Sequence, residues 1–225
     1  MEPAIARTVD PGRSFAEYVL SHERLLHAGA ASVSVGVLSD LTISYGVGEP
    51  DGASYLVRAR ADGVSTIRRS SGGSGIMHAP GDLVWAVVLP RSDPRVGRDF
   101  VRAYGRFGRG LVTFLSEFGL RATWVPAPGL SRDYCPLSDR GLVLEVEGRV
   151  LAAAAQHLTG TTLLHHGTLP VSVDRARIAR WFDLPVPGPT DRLTSLGDLG
   201  VKDRSDDLAQ VLVARIAAGL ESPGT

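Results

Sequence analysis

Lysine is almost missing from this chain. Among 225 residues only Lys202 is one, so arginine supplies the other 23 of the 24 basic side chains. Any chemistry that depends on a lysine therefore has a single candidate, and Lys202 reads as a solvated surface residue. Cysteine is as scarce. Cys135 stands alone, which excludes an intrachain disulfide and any zinc site built from two or more cysteines. Excess charge is absent too, with Lys+Arg and Asp+Glu both at 24. That balance gives no electrostatic case for duplex DNA or an anionic membrane as partner. No run approaches the roughly 18 apolar residues of a membrane span, and Met1 to Pro11 holds no apolar core of a signal peptide. The expectation is a cytoplasmic protein with neither nucleic acid nor membrane as its partner.

What is present is an ordinary globular composition. Hydrophobic residues make up 44% and mean hydropathy is +0.06. A chain of this length buries a sizeable core without a disulfide or metal staple. No internal repeat occurs and the proline clusters are too short for interdomain linkers, so a single domain over 1–225 is expected.

Local patterns suggest its elements. Ser14-Phe15-Ala16-Glu17 reads as a capping box opening a helix to about His27, with Phe15, Val19, Leu25 and Leu26 as its apolar face. Ser32 to Val37 and Leu41 to Tyr45 read as strands, Tyr55 to Asp62 as a short helix, and Val64 to Ile67 as a strand. The near-continuous apolar run Leu83 to Leu89 has the look of a buried central strand. From Asp99 to Phe118 the apolar residues fall at helical spacing, although glycines 105, 108 and 110 each cost about 1 kcal/mol against alanine. Arg121 to Val125 is a strand. Leu142 to Glu147 and Val150 to Ala155 form a hairpin about Gly148. Thr161 to Leu164 and Leu169 to Val173 are expected as strands flanking His165-His166-Gly167. Asp174 caps a helix to about Phe182, and Ser205 caps a last amphipathic helix. The total is an α/β (α+β) domain with a mixed, mostly antiparallel sheet and packed helices.

Two stretches carry chemistry. In Arg68-Arg69-Ser70-Ser71-Gly72-Gly73-Ser74-Gly75-Ile76-Met77-His78, small residues free the backbone to approach a ligand and to form an anion-binding nest. Arg68 or Arg69 beside it is suited to a carboxylate or phosphate. The second stretch holds His165-His166-Gly167. Adjacent residues on a strand point to opposite faces, so the two rings cannot share one metal, and no metal site is expected.

Together with Gly81-Asp82-Leu83 and the hairpin Glu147-Gly148-Arg149-Val150-Leu151, these blocks resemble the signatures of the lipoate-protein ligase A family, related to biotin-protein ligases and octanoyltransferases. The similarity covers residues 14 to about 182, with a looser match to the helix at about 205–220. It implies a sheet of the class II synthetase/biotin-protein-ligase type and a tunnel for a lipoyl or octanoyl chain. Arg69, Ser71, Gly72, Gly73 and His78 would line that tunnel, with Arg68, Ser74, His165, His166 and Gly167 as further substrate-binding candidates. In the ligases ATP and Mg²⁺ supply an adenylate, and the acyl group passes to a lysine of a lipoyl-domain acceptor. Here the family's third loop glycine is Ser74, and its hairpin lysine, which contacts the reacting carboxyl or phosphate, is Val150. Arg149 is the nearest substitute, provided that a bulge at Gly148 turns it inward. Cys135, in a Pro-flanked loop, resembles the nucleophile of one class of octanoyltransferases, which form an acyl thioester and need no ATP. Arg132, Arg140 or a histidine would lower its pKa. The alternative is a catalytically degenerate member that binds an acyl or nucleotide ligand, or one part of a two-component ligase.

Overall fold

The computed structural model describes residues 5–96 and 100–221. Seven strands form the larger of its two sheets: β1 (Ala6–Arg13), β2 (Ser32–Leu38), β6 (Leu83–Pro90), β7 (Ala122–Pro126), β8 (Leu142–Val146), β9 (Arg149–Leu158) and β10 (Thr162–Leu169). Their order is β1-β2-β6-β10-β9-β8-β7, and only the β1–β2 pair is parallel. In the smaller sheet β3 (Thr42–Tyr45) lies between β4 (Ser65–Arg68), parallel to it, and β5 (Ile76–His78), antiparallel. The helices are α1 (Phe15–Ala28), α2 (Ser54–Ala61), α3 (Phe100–Ser116), α4 (Arg175–Phe182) and α5 (Ser205–Glu221). None among the described residues is long and apolar enough to cross a membrane.

Strand β6 explains the layering. Its residues from Leu83 to Leu89 are all buried, because successive side chains go to opposite faces and both faces are covered. Leu83, Trp85, Val87 and Leu89 join the core beneath α3 and α5. Val84, Ala86 and Val88 instead pack against Phe15, Tyr18 and Leu26 of α1. Helix α1 starts with the capping box at Ser14 and Glu17 and ends on Gly29 in a left-handed conformation. Its buried face differs from the expected one. Tyr18 and His22 are buried along with Phe15 and Leu26, while Val19 and Leu25 are only partly so. Tyr18 reaches the sheet because β2 carries Gly36 there; a Cβ at that position would lie 1.6 Å from the Tyr18 oxygen.

Two of the three glycines of α3 have a packing reason. A Cβ at Gly108 would fall 2.0 Å from Trp124 Nε1, and one at Gly110 would fall 2.3 Å from Ile216 Cα. The propensity cost is offset by close approach to β7 and to the α5 backbone. Asp99, from which this helix was expected to run, lies outside the described residues, as does the Phe100 side chain.

Three expectations need correction. His165-His166-Gly167 does not separate two strands; all three residues belong to β10, which runs unbroken beside β6 and β9, and Leu169 to Val173 is no separate strand. Strands β1 and β5 were not anticipated. In the β8–β9 hairpin the irregularity lies not at Gly148 but between the pairs Leu144–Ala152 and Glu145–Val150, which leaves Leu151 as the extra residue. Arg149 precedes that bulge and is unaffected by it.

Candidate active site

The Gly-rich loop runs from the end of β4 into β5 and folds back on β3. Gly46 and Val47 donate their amides to the Gly73 and Ser71 carbonyls at 3.0 Å each. Gly73 adopts φ +91, and a Cβ on it would stand 2.9 Å from an Arg69 terminal nitrogen and 3.1 Å from Cys135 Sγ. Glycine is needed there on both counts. The same geometry brings the arginine and the thiol close to one backbone position.

Strand alternation separates the two arginines. Arg68 turns outward, donating to the Val47 and Glu49 carbonyls at 2.8 Å and to Asp51 at 2.7 Å, with its guanidinium over the Tyr45 ring. It therefore shapes the 47–51 turn and does not reach the ligand cavity. Arg69 turns inward and is 5% exposed. It donates to Ser44 Oγ at 3.1 Å and to the Gly72 and Ser74 carbonyls at 2.9 Å. Burial lowers its pKa, while Cys135, Tyr55 and Glu49 act to raise it. Among the described residues it has no salt bridge to a carboxylate. A desolvated charge held only by neutral acceptors favours an incoming anion or oxyanion.

The side chains of four of the expected residues meet around a small cavity of about 30 Å³, well below the roughly 300–1,000 Å³ of small-molecule pockets. Arg69, His78 and His166 line it along with Cys135. His78 is fixed through both ring nitrogens, Nε2 to Ser44 Oγ at 2.7 Å and Nδ1 to Thr168 Oγ1 at 3.0 Å, and it stacks on Phe15 at 3.9 Å. His166 Nε2 bonds Ser71 Oγ at 2.7 Å, and the ring meets His22 edge-on. Burial, and next to it Arg69 for His78 and His22 for His166, pushes both imidazoles well below their usual pKa. Both are neutral in the folded protein. Ala153, Ala154 and Ala155 of β9 and Val84 of β6 supply apolar wall, which suits a hydrocarbon chain.

Cys135 opens a short 3₁₀ turn, Cys135–Leu137, and its amide donates to the Gly75 carbonyl at 2.7 Å. The thiol is half-buried. Burial raises its pKa, and the Arg69 charge and the Ser74 amide act against that. Arg140 contributes more weakly, from a separate polar cleft that it shares with Arg132, Glu49 and Asp133.

Other expected residues contribute no side chain to the cavity. His165 is on the opposite sheet face, among Trp85, Tyr104 and Phe107, with its Nδ1 3.3 Å from Gln156. Gly167 lines the cavity by its backbone, and its missing side chain makes room for Trp85, since a Cβ would lie 2.7 Å from that ring. Arg149 is partly exposed and faces Glu147 at 3.6 Å, so it does not replace the missing lysine. Lys202 is exposed. Ser44, Thr168 and Phe15 were not foreseen. A serine inside the wholly buried strand β3 is the one signal that points to Ser44.

Val150 is 1% exposed, packed with Leu193 and Ile178 in an apolar cluster. It lines a second small cavity of about 30 Å³ that shares Ile76, Ala153 and Thr168 with the first. No lysine, arginine or histidine lines that space. Its one ionisable acid is Asp82, which accepts the Ala79 and Val171 amides at 2.9 Å, with a pKa that burial raises to about 7. An apolar wall and a carboxylate do not fit the phosphates of ATP. Among the described residues no group of three His, Cys, Asp or Glu side chains is placed to hold a metal.

A family model described as the lipoyl protein ligase A/B catalytic domain matches residues 42–217. Over 129 residues the chain is 28% identical to the probable lipoate-protein ligase A of Mycoplasma pneumoniae, covering 57% of this chain and 33% of that protein. Over 139 residues it is 26% identical to octanoyltransferase LipM of Bacillus cereus, covering 58% and 50%. The chain thus spans a third to a half of the length of these curated relatives. A crystal structure of a lipoate-protein ligase A bound with ATP superposes with a TM-score of 0.77 at 18% identity, over 98% of this chain and 86% of that one. At that identity the likeness concerns the fold.

Proposed function

The chain belongs to the lipoyl protein ligase A/B catalytic-domain family, and from that premise we propose that it carries a lipoyl- or octanoyl-type acyl group to a lysine of a lipoyl-domain carrier, by way of a thioester on Cys135. The observation that carries this reading is the thiol at the cavity wall beside the buried Arg69, which has no salt bridge to a carboxylate among the described residues. The Cys135 thiolate attacks the carbonyl carbon of an acyl thioester on a donor carrier. A tetrahedral oxyanion forms, the donor's sulfur leaves and takes up the proton that the Cys135 thiol gave up, and the acyl group stays on Cys135. The neutral amine of the acceptor lysine then attacks the same carbon, the Cys135 sulfur departs, and the extra proton on nitrogen passes to that sulfur to give the amide and the free thiol. Arg69 supplies positive charge to both oxyanions. His78 and His166, neutral and tied to the fold, present ring surface to the acyl chain. The chemistry requires a free thiol, in keeping with a reducing cytoplasmic setting.

The ligase route through ATP and Mg²⁺ is the less favoured reading, because the space beside Val150 offers phosphate no cation. Intact-protein mass spectrometry of a lipoyl-domain acceptor separates the routes. We expect a mass gain with an octanoyl-carrier donor in the absence of ATP, lost in Cys135→Ser. Gain only with lipoate, ATP and Mg²⁺ would overturn the thioester route. No gain until a second protein is added would assign the chain to one part of a two-component ligase.

A further inference from the structure

The hydrogen bonds beside the acyl cavity run in one direction. Arginine can only donate, so Ser44 Oγ accepts from Arg69 at 3.1 Å. Ser44 is fully buried, and among the described residues the one other partner of its hydroxyl is His78 Nε2 at 2.7 Å. A buried proton left unpaired is costly, so the serine gives its proton to that nitrogen. The His78 ring is neutral. It therefore carries its single proton on Nδ1 and donates it to Thr168 Oγ1 at 3.0 Å. Thr168 accepts from the histidine, and its own hydroxyl proton has no partner among the described residues. The strand sets where that hydroxyl faces. Thr168 lies on β10, paired with Val84 of β6 and Ala153 of β9, and directly paired residues share a sheet face. Both neighbours line the acyl cavity, as does Thr168 itself. Ser44 is the cavity's other hydroxyl, and its proton is spent on His78. Thr168, 5% exposed, is the lining hydroxyl with a proton to offer a ligand.

We propose that the Thr168 hydroxyl donates a hydrogen bond to the carbonyl oxygen of the acyl group at Cys135, as a catalytic residue of both half-reactions; this rests on the thioester reading above. Ser44 and His78 are positioning residues that keep the threonine's proton turned toward the ligand. Thr168 and Cys135 line the same small cavity, so a carbonyl bonded to the sulfur shares that space with the hydroxyl. Val84, Ala153 and Ala154 make the wall around them apolar, and the carbonyl oxygen is the one strong acceptor that an acyl chain brings into it. As sulfur or nitrogen adds to the carbonyl carbon, the C=O π pair moves onto oxygen. The hydroxyl keeps its proton throughout and its hydrogen bond strengthens with the growing negative charge. When the intermediate collapses the pair returns, and the leaving sulfur departs with the proton that the thiol or the amine gave up. The Arg69 charge at the head of the chain polarises every bond along it toward Thr168.

The test is single-turnover acylation of Cys135, followed by intact mass, with two donors. One is the N-acetylcysteamine thioester of octanoate. The other is its dithioester, in which sulfur, a weak acceptor, replaces the carbonyl oxygen. Removing one oxyanion donor lowers the rate by about 10²–10³. Thr168→Val is expected to show that loss with the oxygen donor and only a few-fold change with the dithioester. Thr168→Ser, which keeps the hydroxyl, is expected to stay within a few-fold of wild type with both. Equal losses with the two donors would make the threonine merely structural and overturn the proposal, as would acylation at the wild-type rate by folded Thr168→Val. The direction of the chain has its own readout in the nitrogen-15 spectrum of histidine-labelled protein, with the His78 signals identified by their loss in His78→Gln. A proton on Nδ1 is expected, and a proton on Nε2 overturns the proposal while leaving the thioester reading intact. Failure of the wild type itself to acylate with the oxygen donor overturns the thioester reading and this inference with it.

Discussion

Restoring the missing lysine is the most direct probe of the wall at Val150. In Val150→Lys the ammonium enters a space bounded by Leu193, Ile178 and Tyr134. Buried lysines of this kind titrate at about 5–6, against about 10.4 in the unfolded chain. Between those values the unfolded state binds one more proton, so stability rises with pH by about 1.4 kcal/mol per unit. The cost of the substitution is therefore about 4.6 kcal/mol at pH 7, falling to about 2 kcal/mol at pH 9. Denaturant unfolding of both proteins at the two pH values measures it. The same variant is expected to gain no ATP-dependent ligation. A variant as stable as wild type at pH 7, with no dependence on pH, would mean that this cavity accommodates a cation. Phosphate would then have a cation to meet there.

Arg69→Met removes the charge that opposes the burial of the Cys135 thiol. Alkylation of Cys135 at pH 8 should slow by about tenfold for each unit that the thiol pKa climbs, with an unchanged rate contradicting the pairing. His165, whose pKa burial lowers to about 3, works against stability in acid. Between pH 6.5 and 3 the unfolded chain holds a proton that the folded one does not, at a cumulative cost of about 5 kcal/mol. His165→Leu should flatten that slope in acid unfolding while acyl transfer stays within a few-fold of wild type, because the ring faces away from the cavity. His166→Leu, by contrast, unties Ser71 and should abolish transfer.

Strong local signals made much of the fold legible. The capping box at Ser14, the apolar run of β6 and the helical period of α3 each have one physical reading, and the structure follows it. Strand β1 escaped notice because it is a polar edge strand interrupted by Pro11 and Gly12, with its register shifting between Asp10 and Arg13. The break expected at His165-His166-Gly167 was a packing glycine, recognisable only once Trp85 stands opposite it. At the site, composition marks the Gly-rich loop but cannot choose between Arg68 and Arg69, since that depends on which strand face meets β3. The fate of Arg149 likewise depended on the position of a bulge, three residues beyond the place where sequence suggested it.

The central claim is that Cys135 carries the acyl group. Incubating the whole chain with an octanoyl thioester in the absence of acceptor and ATP, then quenching in acid and measuring intact and peptide masses, tests it most directly. The account predicts one octanoyl adduct, mapped to Cys135, discharged on adding a lipoyl domain and absent from Cys135→Ser. An acceptor that becomes acylated at the same rate by wild type and Cys135→Ser would contradict it.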